Sequence, residues 1–185
     1  MGTELLERAL ASTRAVLAEV RTDQLDLPTP CTEWRVRDVI NHLVGTQHYA
    51  ADAVEGRTPA DDEDDAAAGD FLAAYDQAAH ASLAAFGADG ALERTLALPF
   101  GQLPATAFLA IMAGDAFTHG WDLAKATGQS TDLDADLAEQ LHAPISAMLR
   151  PELRSEDGRA FRPEQPAPAG ASSADQLAAF LRRSL

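Results

Sequence analysis

At 185 residues, with 46% hydrophobic, 23% charged and 6% aromatic residues, the chain has the composition of an ordinary soluble globular domain. A chain of this length buries about 70% of the surface its unfolded form exposes, so neither a disulfide nor a metal is needed merely to keep it folded. The 29 acidic residues outnumber 14 basic ones for a net charge of −15, which excludes the basic face of a nucleic-acid binder and disfavours anionic membranes.

Cys31 is the single cysteine, so no internal disulfide can form and no Cys-x-x-Cys pair is available for zinc or redox work. The N-terminal stretch MGTELLERALASTRAVLAEV interleaves charged with apolar residues and lacks the apolar core of a signal peptide. The longest uncharged run, Thr95 to Gly114, is interrupted by Pro99, Gly101, Gln102 and Pro104 and does not read as a membrane helix. These features predict a soluble, cytoplasmic, unprocessed protein.

In chain order, residues 3–21 place Leu6, Ala9, Leu10, Thr13, Val16, Leu17 and Val20 on one side at helical spacing, which predicts a long amphipathic helix. DLPTPCTEW breaks the pattern twice with proline, and a second helix follows over 36–55 with Val36, Val39, Ile40, Leu43, Ala50 and Val54 as its apolar stripe. The acidic run Asp61 to Asp65 lacks the alternating ligands and glycine turn of a calcium loop and reads as a solvated connection. A third helix is expected over 70–86, an extended segment or small hairpin over 91–103, and a fourth helix over 104–128. A fifth helix is expected over 133–149, and after a proline- and glycine-rich tail the run DQLAAFLRRSL is long enough for a last short helix. The pattern predicts an all-α fold, a four-helix bundle with a small C-terminal helical extension, divided into residues 1–150 and an extension 151–185 packed on the same domain.

The chemistry concentrates on the fourth helix, PATAFLAIMAGDAFTHGWDLAKATG. At 100° per residue, Met112, Asp115, His119, Asp122, Leu123 and Ala126 all lie within about 60° of Phe108, so a carboxylate and an imidazole sit in the middle of an apolar stripe. Burying Asp115 without a partner costs several kcal/mol. Two compensations are open: a closed hydrogen-bonded pair in the core, or shared ligation of a metal, since i and i+4 side chains can converge on one ion as the histidines of HExxH do. His42, at the edge of the second helix's stripe beside Val39, Thr46 and Tyr49, is a third donor, and two imidazoles with one carboxylate form the pattern of an open divalent site.

PTPCTEWRVRDVINHLV at 28–44, taken with DAFTHGWDLAKATGQ at 115–129, resembles the DinB/YfiT-like metalloenzyme superfamily, most closely the branch containing the N-terminal domain of mycothiol-dependent maleylpyruvate isomerase. The resemblance implies a DinB-like bundle that binds a divalent metal, usually zinc, through His42, Asp115 and His119; the isomerase has glutamate where this chain has Asp115. It further implies a low-molecular-weight thiol such as mycothiol, held by the metal as a thiolate, and an electrophilic substrate, hence a thiol-dependent transferase or isomerase. Abundant alanine, and arginine in place of lysine, suit an actinobacterial source. The isomerase also has a second domain that contributes a cationic residue for its dicarboxylate substrate. In this chain Arg150, Arg154, Arg159 and Arg162 could stand in for it, although solvation is their simpler role. The alternatives are a non-catalytic metal- or ligand-binding protein connected with stress, and a metal-dependent hydrolase using bound water.

Other residues have plainer readings beside functional ones. Asp122, three residues after His119, either accepts the second N–H of that imidazole or pairs with Lys125 at the surface. Asp76 and His80 repeat the DxxxH spacing outside their helix's stripe and read as an exposed i, i+4 pair. His48 and His142 read as surface residues, Trp34 and Trp121 as pocket walls or simple packing, and Cys31 as a small packed side chain. A homodimer is the default for oligomeric state.

Overall fold

A computed structural model describes residues 2–58, 65–148 and 164–185. The acidic residues 61–64, the boundary expected at 150/151 and the arginines at 150, 154, 159 and 162 lie outside the described residues.

Six α-helices and one hairpin make up the regular structure of the described residues: α1 (Glu4–Ala18), α2 (Val36–Glu55), α3 (Phe71–Gly87), β1 (Thr95–Leu98), β2 (Gly101–Pro104), α4 (Ala105–Thr127), α5 (Ala135–Met148) and α6 (Ser173–Phe180). Helices α1 to α4 form the bundle, with α1 against α4 and α2 against α3 as the most extensive pairings, and α2 also packed on α4. The apolar stripe expected on α2 is buried throughout, with Val36, Val39, Ile40, Leu43 and Ala50 fully buried. Burial of such stripes, at about 25 cal/mol per Å², is what holds the helices in register. The hairpin pairs Thr95 with Pro104 and Leu98 with Gly101, filling the stretch expected to be extended, and leaves Phe100 at its exposed tip.

Helices α1 and α4 approach closely at Thr13 and Gly120. Thr13 Oγ1 donates to the Ala116 carbonyl at 2.7 Å, and a β-carbon on Gly120 would lie 2.6 Å from Thr13 Oγ1 and 3.1 Å from Thr13 Cα. Only glycine fits at 120, one residue beyond His119. Among the described residues no helix is long and apolar enough to cross a membrane.

Two boundaries differ from the sequence pattern for local reasons. Helix α1 stops at Ala18 rather than near 21, and the chain passes into a 3-10 turn at Thr22–Gln24. The last helix starts earlier and ends earlier than expected. Ser172 accepts from the Asp175 N–H at 3.1 Å and so caps it from outside. Its C-terminus then closes in a Schellman motif: Arg182 takes φ 73°, its N–H reaches the Ala179 carbonyl, and the Arg183 N–H reaches the Ala178 carbonyl, both at 2.8 Å. The chain therefore turns away at Leu181, and that turn aims Arg183 back at the bundle.

Candidate metal centre

Helices α2 and α4 lie side by side, and the structure brings His42, Asp115 and His119 together between them. His42 Nε2 is 3.1 and 3.2 Å from the two Asp115 carboxylate oxygens. His119 Nε2 is 3.5 Å from Asp115 Oδ1, as the i, i+4 spacing on one helix face requires. The two imidazole centroids are 4.6 Å apart in an edge-on arrangement. Asp115 keeps 24% of its side chain exposed, so the cluster opens to a surface cleft rather than being sealed.

Behind this cluster lies a second layer. His119 Nδ1 is 3.0 Å from Asp122 Oδ2, and Asp122 is fully buried. Arg183 clamps the same carboxylate, with Nε 3.0 Å from Oδ1 and Nη2 2.9 Å from Oδ2. Of the two options open for Asp122 in the sequence, the geometry has it bonded to His119, and its cation is Arg183 rather than Lys125. Burial pushes the Asp122 carboxyl up, but its hydrogen bonds from His119 and Arg183 outweigh that and hold it below the usual carboxylate range. Asp115 behaves in the same way: burial raises it, and the bond to His42 with the neighbouring charges of His119 and Arg183 lowers it further than burial raises it. Arg183 is stabilised in its charged form by Asp122 despite its own burial.

These pairings fix the tautomer of His119. An ionised Asp122 can only accept, so Nδ1 carries the proton toward it, which leaves Nε2 as the nitrogen facing Asp115. A lone pair and a carboxylate oxygen facing each other require a proton or a cation between them. On the other side of Asp115, Thr46 spends its hydroxyl proton on the His42 carbonyl at 2.5 Å, so at 3.3 Å from His42 Nε2 it can only accept. Three donor groups thus converge on one point.

The loop between α1 and α2 covers the cluster. Glu33 sits at φ 76°, a conformation uncommon outside glycine, and Thr29 holds the turn closed through its N–H and its hydroxyl, 3.1 and 2.9 Å from the Trp34 carbonyl. The turn lays Trp34 on both imidazoles, stacked on His119 with centroids 5.4 Å apart and tilted on His42 at 4.8 Å. It also brings Cys31 within 4.8 Å of His119 and Asp122 donor atoms. That second group is a poorer cation site than the first, because Asp122 and the Nδ1 face of His119 are already bonded to each other and to Arg183. Burial pushes the Cys31 thiol up, with the nearby Arg183 opposing.

Two sequence expectations need correction. Asp76 does not pair with His80; its partner is Arg14 on α1, with Nε–Oδ1 at 2.6 Å and Nη2–Oδ2 at 2.7 Å. His142 is half-buried against Phe180, centroids 5.0 Å apart, where α6 packs on α5, and His48 is likewise half-buried. Of the two readings for Trp121, simple packing holds: it is buried, and its indole N–H donates to Asp175 Oδ1 on α6 at 2.9 Å. Sequence reasoning missed Arg183 altogether; the available signal was that a carboxylate on the buried face of α4 needs a cation, without indication of which.

Residues 6–124 match the family described as mycothiol maleylpyruvate isomerase N-terminal domain, which belongs to the DinB-like superfamily. The chain belongs to this family. Two relatives are each 43% identical over 180 residues, 97% of this chain and 96% of theirs: the uncharacterized proteins MT0763 and Rv0738, from the CDC 1551 / Oshkosh and H37Rv strains of Mycobacterium tuberculosis. No solved structure matches significantly. Family membership confirms the resemblance read from the two motifs and the helical-bundle fold. The matched segment contains His42, Asp115, His119 and Asp122 but ends before α5, α6 and Arg183.

Proposed function

We propose that His42, Asp115 and His119 hold a divalent ion, zinc first, and that Asp122 orients His119 from behind. Two imidazoles and one carboxylate are borderline donors that suit zinc and leave a coordination position free. The carrying observation is the convergence of His42 Nε2 and His119 Nε2 on the Asp115 carboxylate, with the other His119 nitrogen held by Asp122. When bound, such an ion supplies Lewis acidity that keeps a small thiol as its thiolate at neutral pH.

On that basis we infer a thiol-dependent transferase or isomerase, with mycothiol or another low-molecular-weight thiol as cosubstrate and an electrophile as second substrate. Membership of a family whose description names mycothiol supports the thiol. The residues of the chain have distinct work: Asp115 bridges the two imidazoles, Asp122 fixes which His119 nitrogen is free, and Trp34 walls one side and keeps water from it. In this reading residues 1–150 are the metal-binding unit and 151–185 its extension.

Metal analysis of the purified full-length chain tests the centre. Stoichiometric zinc is expected in the parent protein, with loss in His42→Ala, Asp115→Ala and His119→Ala and no change in Asp76→Ala or His80→Ala. Full zinc in all three site variants overturns the proposal. Consumption of thiol by electrophiles, dependent on zinc, is the expected activity; thiol-independent ester or amide cleavage would instead assign a hydrolase, and zinc without turnover a binding protein.

A further inference from the structure

A cleft of about 330 Å³ opens beside the cluster, between α4, α5 and the turn after α6. Its volume lies at the small end of the range for small-molecule sites. Ala110, Ile111 and Gly114 of α4 form one wall, Pro144 and Ile145 of α5 the opposite wall, and Leu181 one end. Asp115, Thr118, His119 and Arg183 supply its polar atoms.

Each of those polar groups is already engaged. Asp115 is bonded to His42, His119 to Asp122, and Thr118 donates to the Gly114 carbonyl of its own helix at 2.7 Å. Arg183 spends Nε and one Nη2 N–H on Asp122 and one Nη1 N–H on the Leu181 carbonyl at 3.1 Å. The Arg183 charge is balanced at contact distance by fully buried Asp122, so an anionic ligand reaching the remaining Nη N–H groups would meet a neutral pair beside the Asp115 carboxylate. A cationic ligand would face Arg183 and the proposed ion. Among the described residues, the cleft therefore offers mainly apolar contact and no charge without a counter-charge beside it.

We propose that this cleft binds a small, uncharged, largely apolar molecule, the second substrate of the reaction, with its reacting end toward Asp115 and His119. The assignment of that molecule as second substrate rests on the thiol-transfer reading, and the exclusion of a cation rests in part on the proposed ion; the apolar walls rest on neither. The α5 and Leu181 walls lie outside the segment matched by the family, so substrate preference is set in part by residues that the family does not define.

Three probes of nearly equal size separate the possibilities: benzyl alcohol, benzoate and benzylamine, titrated into full-length protein, zinc-loaded and zinc-free, with binding followed by ligand-observed NMR. Benzyl alcohol is expected to bind at least about tenfold more tightly than either charged probe, tenfold corresponding to 1.4 kcal/mol. Ala110→Phe, which fills the cleft, should abolish that binding while zinc content stays at the parent level. Ile145→Ala, which widens it, should shift preference toward 3-phenylpropanol. Equal or tighter binding of benzoate, no binding of the alcohol, or unchanged binding in Ala110→Phe with normal zinc content would each overturn the proposal. Selective alcohol binding in a protein that takes up no zinc would uphold the cleft while removing the metal-centred reading.

Discussion

Helices α3 and α4 carry the same four-residue spacing, Asp76 to His80 and Asp115 to His119, yet the two pairs have opposite fates. On α3 the aspartate reaches outward to Arg14 and the histidine stays exposed. On α4 the pair faces α2, where His42 supplies a third donor, and Asp122 and Arg183 hold the imidazole from behind. Spacing along one helix only makes convergence geometrically possible. The neighbouring helix decides whether it becomes a site, and burial decides how strongly each group must be compensated.

The largest expected effect comes from removing that compensation. Arg183→Met leaves Asp122 fully buried with His119 as its remaining partner, and loss of one member of a buried ion pair costs about 3–5 kcal/mol. Urea denaturation should show this as a lower midpoint with little change in slope, and Asp122→Asn added to Arg183→Met should recover a good part of it. Zinc affinity should fall about 10- to 100-fold in Asp122→Ala, because the histidine loses the group that sets its tautomer. No equivalent chain of dependence exists on α3, so Arg14→Met should leave zinc content untouched.

How much of this was readable in advance follows the same division. The buried face of α4 was legible because Asp115, His119 and Asp122 fall within one stripe with Phe108 and Met112, and His42 was legible as the polar residue at the edge of its own stripe. The hairpin was legible from Pro99, Phe100 and Gly101. Arg183 was not, because its position depends on a Schellman turn that Arg182 closes without glycine, so the run LRRSL reads as more helix. Trp34 was ambiguous for a related reason: its contact with both imidazoles depends on the left-handed backbone at Glu33, which local propensity does not favour. Asp76 misled because its true partner is 62 residues away in sequence, and i, i+4 arithmetic cannot see it.

A middle-sized effect sharpens the contrast through glycine. Gly120 on α4 has Thr13 of α1 where a β-carbon would be, including backbone, so Gly120→Ala must push α1 outward at an expected cost of about 1–3 kcal/mol. Thr13→Ala removes the hydroxyl but not Thr13 Cα at 3.1 Å, so the double variant should recover only part of the loss. Gly87, the last residue of α3, has nothing within 4 Å of its would-be β-carbon. Gly87→Ala should therefore be neutral or gain up to about 1 kcal/mol. Thermal or urea denaturation of the pair measures how much tighter α4 is held than α3.

The smallest expected effect belongs to Asp76 and Arg14, and its direction with pH can be stated from the geometry. The hydrogen bond from Arg14 holds the Asp76 carboxyl below its ordinary value of 3.8. A carboxyl lowered in the folded state contributes its stability above the unfolded value, and loses it as pH falls through the folded one. The difference in stability between the parent protein and Asp76→Asn should therefore be present at neutral pH, shrink as pH drops below about 4, and nearly vanish in strong acid. Both partners are well exposed, so salt should reduce the difference even at neutral pH. A difference that grew on acidification, or that resisted salt, would mean Asp76 is held by something other than Arg14, and α3 would then resemble α4 more closely than the contrast between them allows.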